Sequence, residues 1–312
     1  MNNFEDAIKA RALELGLDAC GIARAQAVSP EAAQQYRQWI AQGGHFCMDY
    51  CARYLDVRDD PRLLLEGAQS LIVVAMNYYP AVFQPDDAPQ FAYYAYGRDY
   101  HKVMRNRLKQ LAAFVSENGG GATRCCVDTA PLRERYWAQQ AGIGFVGRNN
   151  TLIIPGRGSY FFIGTLLTTL ALTPDEPCTL TCGDCGACIN ACPTAALPPI
   201  NATAGEAAIS GAVDASRCLS CLTIEYRGEL PEWARKALGN KVYGCDECQR
   251  ACPHNRDARP TTIPEFHPTP DFLALTLEQL KTMSSTTFAT LFAHSPITRT
   301  THSHLIAPLL PQ

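Results

Sequence analysis

The chain has 312 residues, of which 47% are hydrophobic and 18% charged, with a formal net charge of −3. This is the composition of a globular protein and excludes global disorder; it provides no overall basic field, so any nucleic-acid partner has to be held by a local patch. The start carries acidic residues instead of a secretory signal, and the longest apolar run, Tyr160 to Leu172, is too short to span a membrane, so a cytoplasmic protein is expected. In that compartment thiols stay reduced, and the 15 cysteines point to metal or redox chemistry rather than disulfides.

Apolar residues recur at helical spacing from Phe4 to Leu17, and a short strand follows over Ala19 to Ala23. Ser29-Pro30-Glu31 starts a helix that runs to Gln42, where Gly43-Gly44 stops it. Leu71 to Met76 reads as a buried strand. Arg98 to Glu117 has the length and period of a helix, ended by the glycines at 119 to 121. Cys125 to Asp128 is expected as a strand, Pro131 to Gln140 as a helix, and Gly142, Gly144 and Gly147 punctuate the loop after it. Strands over Thr151 to Ile154 and Tyr160 to Thr168 complete a sheet-and-helix domain, α+β or α/β, over residues 1–175. From Cys178 the texture turns to Cys, Gly and Pro with few large apolar residues, a segment expected to need metal for stability. This gives a second domain over 176–259, ferredoxin-like, and a helical tail over 260–312 with short helices near Thr276 to Met283 and Thr286 to His294.

Cys182, Cys185, Cys188 and Cys192 form C-x2-C-x2-C-x3-C followed by Pro193. In this bacterial ferredoxin run three thiolates serve one [4Fe-4S] cluster and the fourth reaches the other. Cys218, Cys245, Cys248 and Cys252, the last followed by Pro253, form a looser second set. Crossing the fourth ligands assigns Cys182, Cys185, Cys188 and Cys252 to one cluster, and Cys192, Cys218, Cys245 and Cys248 to the other. Structural zinc is the alternative for such pairs, but the third cysteine at the next x2 interval and the paired Cys-Pro endings favour clusters. Cys221 competes with Cys218 for its place. Cys20, Cys47, Cys51, Cys125, Cys126 and Cys178 have no ligand spacing and read as small buried hydrophobes.

Other stretches resemble the epoxyqueuosine reductase family. They are Val127-Asp128-Thr129-Ala130-Pro131-Leu132, Trp137-Ala138-Gln139, Gly142-Ile143-Gly144-Phe145-Val146-Gly147-Arg148-Asn149, Tyr96-Gly97-Arg98-Asp99-Tyr100-His101-Lys102, Gly158-Ser159-Tyr160-Phe161-Phe162, Arg217-Cys218-Leu219-Ser220 and Tyr243-Gly244-Cys245-Asp246. The resemblance implies an enzyme that uses cobalamin and two [4Fe-4S] clusters to remove the epoxide oxygen of epoxyqueuosine in tRNA, working as a monomer with a separate electron donor. It implies Asp128 as the proton donor, a role in keeping with the need to protonate a departing oxygen; read by position alone, Asp128 would cap the helix starting near Pro131. It also implies cobalamin contacts at Arg53, Asp128, Ser220, Arg227, Cys245 and Asp246, and favours Cys218 as ligand because Cys221 stands where the family usually has an aromatic residue. Longer members continue into helical repeats that help grip tRNA. Here Arg98, Lys102, Arg105, Arg107 and Lys109 fall along one helix, which reads as a solvated face or, if it meets phosphates, as a source of steep salt dependence. A reductive dehalogenase-like corrinoid enzyme and a non-catalytic electron carrier are the competing functions.

Overall fold

The computed structural model describes residues 3–199 and 212–309. Its strands are β1 (Ala19–Arg24), β2 (Ser70–Asn77), β3 (Gln90–Phe91), β4 (Thr123–Cys126), β5 (Phe145–Val146), β6 (Leu152–Ile153), β7 (Phe161–Thr168) and β8 (Lys241–Tyr243). The main sheet has the order β1-β2-β7-β4, and every neighbouring pair is antiparallel. Of the two fold classes the sequence left open, antiparallel pairing selects α+β.

β2 shows why its apolar run forms a central strand. Side chains alternate across a strand; Ile72, Val74 and Met76 enter one core while Leu71, Val73 and Ala75 enter the other, all 0% exposed. Burying each large side chain of this kind contributes about 1.5–3 kcal/mol. The first core is closed by helices α1 (Phe4–Glu14) and α4 (Tyr100–Gly119), which present Ile8, Ala12, Met104, Leu108, Leu111 and Val115. Between them in the chain lie α2 (Pro30–Ala41) and α3 (Leu55–Asp59). The second core is closed by α5 (Glu134–Gln140), whose Trp137 and Ala138 are buried.

Three local expectations are corrected. The strand before Asp128 ends at Cys126, and α5 begins at Glu134 instead of Pro131, because turns at Val127–Thr129 and Ala130–Leu132 interrupt the chain. The stretch near Thr151 to Ile154 contributes only β6, which pairs with β5 in a separate ribbon rather than extending the main sheet. The long helix starts at Tyr100, with the Asp99 carboxylate accepting from His101 N–H as its cap.

The cysteine-rich segment carries α6 (Ala187–Ala191), α7 (Leu219–Ile224), α8 (Glu232–Leu238) and α9 (Glu247–Arg250). A buried polar network anchors it to the sheet: Gln249 Nε2 donates to the Ser159 carbonyl and hydroxyl, and Asn255 Oδ1 accepts from Ser159 N–H at 2.7 Å. Gly158 has to be glycine at this contact, since φ is +90° and a Cβ would lie 2.3 Å from Asn255 Oδ1. The tail forms α10 (Pro270–Leu273), α11 (Leu277–Thr282), α12 (Ser285–Leu291) and α13 (His302–Ile306). Its Phe272, Leu280, Phe288, Phe292 and Leu305 share one core with Phe91, Tyr96 and Tyr243, while β3 pairs in parallel with β8. The tail thus packs against elements from both preceding segments.

Candidate active site and cluster sites

Cys182, Cys185, Cys188 and Cys252 line a single cavity together with Arg148, Asn149, Ile153, Pro253 and His254. Cys188 lies on α6 and Cys252 follows α9, so the packing of these two helices brings the distant fourth cysteine to the first three. Among the described residues no three Cys, His, Asp or Glu side chains close on one point as a single ion requires. The thiols surround a space instead. Arg148 Nε is buried there without a hydrogen-bond partner among the described residues, and its N–H is suited to donate to a cluster sulfur. The donor set therefore fits an iron–sulfur cluster.

The members of the second set lie within electrostatic reach of one another. Cys218 is the residue before α7 and feels the charge of Cys192; Cys245 feels Cys218, and Cys248 feels both Cys245 and Cys218. Burial pushes the Cys245 thiol up to about 12, and a bound metal would reverse that by taking the thiolate. Cys221 points elsewhere, with its sulfur 3.8 Å from that of Cys47.

Asp128 sits in a turn with φ +52°, a left-handed conformation that Asp tolerates better than most residues. Its N–H donates to Glu134 Oε1 at 2.7 Å. Asp128 does not cap α5, whose N-cap is Arg133 without a side-chain bond; the capping alternative is thereby removed. Its carboxylate is half exposed and accepts from His101 Nε2 at 2.9 Å. His101 is buried on the first turn of α4, and its Nδ1 lies 2.7 Å from Asp99 Oδ1 and 2.8 Å from Arg299 Nη2. Arg299 comes from the tail and also stands 3.5 Å from Asp99 Oδ2.

The electrostatics follow from these contacts. Burial raises the Asp128 carboxyl, but hydrogen bonding and charge from His101 outweigh it and hold Asp128 below its ordinary value. Burial lowers His101, but the two carboxylates outweigh it and raise the imidazole. Asp99, against the same burial penalty, is held down at about 2 by His101. Burial next to Asp128 pushes the Glu134 carboxyl up to about 8.

The contacts expected from resemblance fall on several elements. Arg53 is exposed at the end of the turn Asp49–Ala52; Tyr50 in that turn is 49% exposed, lies 3.5 Å from Glu225 Oε1 and feels the charge of Asp128. Ser220 is on α7 next to Cys218, and Arg227, just past its end, donates to the Ile224 carbonyl and approaches His304 Nε2 at 3.2 Å. Asp246 is tied inward, its Oδ2 accepting from Tyr93 N–H at 2.7 Å beside Cys245. Exposed aromatic faces at Tyr50 and Tyr54, with the exposed cations Arg53 and Arg227, fit a large planar ligand with polar and anionic edges.

The sequence does not single out Glu134 or Arg299, and Asp99 and His101 figure there only as parts of a motif. The Asp99-Tyr100-His101 helix start carried a signal for two of them; nothing local marks Arg299, which arrives from 198 positions away. Of the basic row, Arg98, Lys102, Arg105 and Lys109 are exposed, whereas Arg107 bonds the Gly16 carbonyl and lies 3.6 Å from Glu265.

A sheet-anchored double-cysteine module next to a polar, proton-bearing site defines an iron–sulfur oxidoreductase. A family model for the 4Fe-4S double cluster binding domain matches residues 181–255, and the model for epoxyqueuosine reductase QueG, DUF1730, matches 58–129. The chain is 38% identical over 303 residues to the epoxyqueuosine reductase of Cellulophaga algicola, covering 96% of this chain and 95% of the relative. It is 37% identical over 310 residues to that of Escherichia coli, covering 97% and 78%. A crystal structure of epoxyqueuosine reductase with a tRNA-Tyr epoxyqueuosine-modified stem loop superposes with TM-score 0.84 at 29% identity, covering 97% of this chain and 79% of that one. A Bacillus subtilis epoxyqueuosine reductase with an aspartate catalytic loop swung out of the active site gives 0.83 at 29% identity, with the same coverage. The chain belongs to the epoxyqueuosine reductase family. The double-cluster match also disposes of the zinc alternative.

Proposed function

We propose that this protein reduces epoxyqueuosine to queuosine in tRNA, with Asp128 protonating the epoxide oxygen. The observation that carries this reading is the half-exposed Asp128 carboxylate on a left-handed turn, backed by buried His101. Overall, the epoxide takes two electrons and two protons; its oxygen leaves as water and an alkene remains. Cys182, Cys185, Cys188 and Cys252 hold one cluster, and Cys192, Cys218, Cys245 and Cys248 the other. Arg53, Asp128, Ser220, Arg227, Cys245 and Asp246 would hold cobalamin, which would supply two-electron reduction at carbon. Tyr50 and the exposed cations fix the outer edge of that site, and the Asp128 turn sets the acid against the substrate oxygen. The enzyme works in the cytoplasm as a monomer and draws electrons from a separate donor. Among the described residues no helix is long and apolar enough to cross a membrane.

The test is anaerobic reconstitution, quantification of iron, sulfide and cobalamin, and an assay on epoxyqueuosine-containing tRNA. About eight irons and one cobalamin per chain with conversion to queuosine are expected; a fully loaded protein that leaves the epoxide intact refutes the reading.

A further inference from the structure

The proton that Asp128 has to deliver is not secured by Asp128 itself. A carboxylic acid facing an imidazolium gives up its proton readily, so at neutral pH this acid would stand discharged if it acted alone. We propose that His101 is the proton reservoir of the reaction, holding on Nε2 a proton that it shares with Asp128, with Asp99 and Arg299 setting how firmly it is held. This inference rests on the reading of the protein as an epoxyqueuosine reductase and identifies where its acid is recharged.

The geometry is that of a buried relay with one open end. His101 Nε2 meets Asp128 Oδ2 at 2.9 Å; the imidazole is 6% exposed, whereas the Asp128 side chain is 50% exposed. On the far side Nδ1 lies 2.7 Å from Asp99 Oδ1 and 2.8 Å from Arg299 Nη2; in the imidazolium Nδ1–H donates to Asp99, and Nε2 is left to exchange its proton with Asp128. The Tyr100 ring, 4.0 Å from the imidazole between centroids, covers it. Charged groups reach this ring from three elements: Asp99 from the start of α4, Asp128 from the turn after β4, and Arg299 from the tail, 2.8 Å from Nδ1. The carboxylates strengthen the hold on the proton and Arg299 weakens it. Glu134 also feels His101 and fixes the Asp128 backbone.

The step balances as follows. Asp128, a carboxylate at rest, takes the Nε2 proton of His101, and the carboxyl so formed gives that proton to the epoxide oxygen as the C–O bond breaks. The imidazole becomes neutral with Nδ1–H still bonded to Asp99. It is reprotonated from solvent, and the second proton of the stoichiometry enters with the departing oxygen as water forms. His101 acts only through Asp128 and is a positioning residue in that sense.

The test combines an imidazole titration with a pH–rate profile. Nitrogen-15 NMR of the holoenzyme should show His101 titrating above about 6.5, the ordinary histidine value, and moving down in Asp128→Asn; a ring titrating at or below that value overturns the shared proton. In single turnover with pre-reduced holoenzyme, the rate should fall at high pH with the titration of His101. In His101→Gln that limb should move down toward about 4, the ordinary Asp range, with a loss of roughly 10²-fold or more at pH 7. Asp99→Asn should move the limb down, and Arg299→Gln should move it up, a pair of opposite displacements that loss of packing does not produce. A limb that stays in place in His101→Gln, with wild-type cluster and cobalamin content, overturns the relay. Failure of the wild-type holoenzyme to reduce epoxyqueuosine tRNA overturns instead the function on which the relay rests, while the titration still judges the shared proton.

Discussion

Asp128 occupies a turn that would be strained for most side chains, and its neighbours explain why it is held there: Glu134 accepts its N–H and His101 binds its carboxylate. Asp128→Asn keeps the shape and the accepting oxygen but has no proton to give. Single-turnover reduction of modified tRNA should drop by about 10²- to 10⁴-fold, with both clusters and cobalamin retained; full activity would make Asp128 structural. Asp99 supplies a separate pH effect. Its folded-state value of about 2 lies below the ordinary carboxyl value, so its stabilisation is complete above about 4 and is lost as pH falls toward 2. Acid unfolding followed by circular dichroism should show Asp99→Asn with lower stability at pH 6 and a shallower loss between about pH 4 and 2.

At the scale of elements, the placing of α4 is the critical feature, since its first turn carries Asp99 and His101. Gly97 lets that turn approach the tail: a Cβ there would lie 2.3 Å from Phe266 Cα and 2.5 Å from the Glu265 carbonyl oxygen. Arg98 N–H bonds that same carbonyl at 2.7 Å. Gly97→Ala should therefore cost about 1–3 kcal/mol in denaturant unfolding and should lower turnover as well, because the backbone moves at the site. A variant with wild-type stability and turnover would show that the contact yields freely. The helix pair α6 and α9 makes the corresponding prediction for the clusters. Cys252→Ser should damage the cluster of Cys182, Cys185 and Cys188, and Cys192→Ser the one built on Cys218, Cys245 and Cys248. Electron paramagnetic resonance of each reduced variant distinguishes this from loss of the cluster belonging to its own motif.

Over the whole molecule, stability is divided unevenly. The sheet has two extensive cores, whereas among the described residues the cysteine-rich segment is served by two small buried groups, Phe145, Ile153 and Cys252 beside the first cysteine set and Leu219, Leu222, Leu230, Ala234 and Leu238 around α7 and α8. We propose that residues 1–175 and 176–259 respond differently to loss of metal, with the tail from 260 holding to both. Removing iron with a chelator should release amide protection in α6, α7 and α9 while β2 and β7 stay protected; uniform protection after chelation would refute this. The tail should matter to chemistry as well as to packing, because Arg299 and His304 reach His101 and Arg227.

The gathering of Cys182, Cys185, Cys188 and Cys252 and the buried central strand were legible in the sequence because each rests on a local pattern: cysteine intervals for the first, an unbroken apolar run for the second. Resemblance marked Asp128 by the residues around it. Strand pairing was not legible, since an apolar run signals burial on both faces but says nothing about the direction of its neighbours, and only the assembled sheet showed antiparallel order. Nor was the division of labour around the acid. Whether Asp128 caps a helix or faces an imidazole depends on where α5 begins, and that is set by turns whose bonds span two residues. The partners that tune His101 come from α4, the Asp128 turn and the tail. Charges separated by nearly 200 positions in the chain acquire an interaction only when folding removes the water between them, and so tertiary structure alone decides which proton this site can hold.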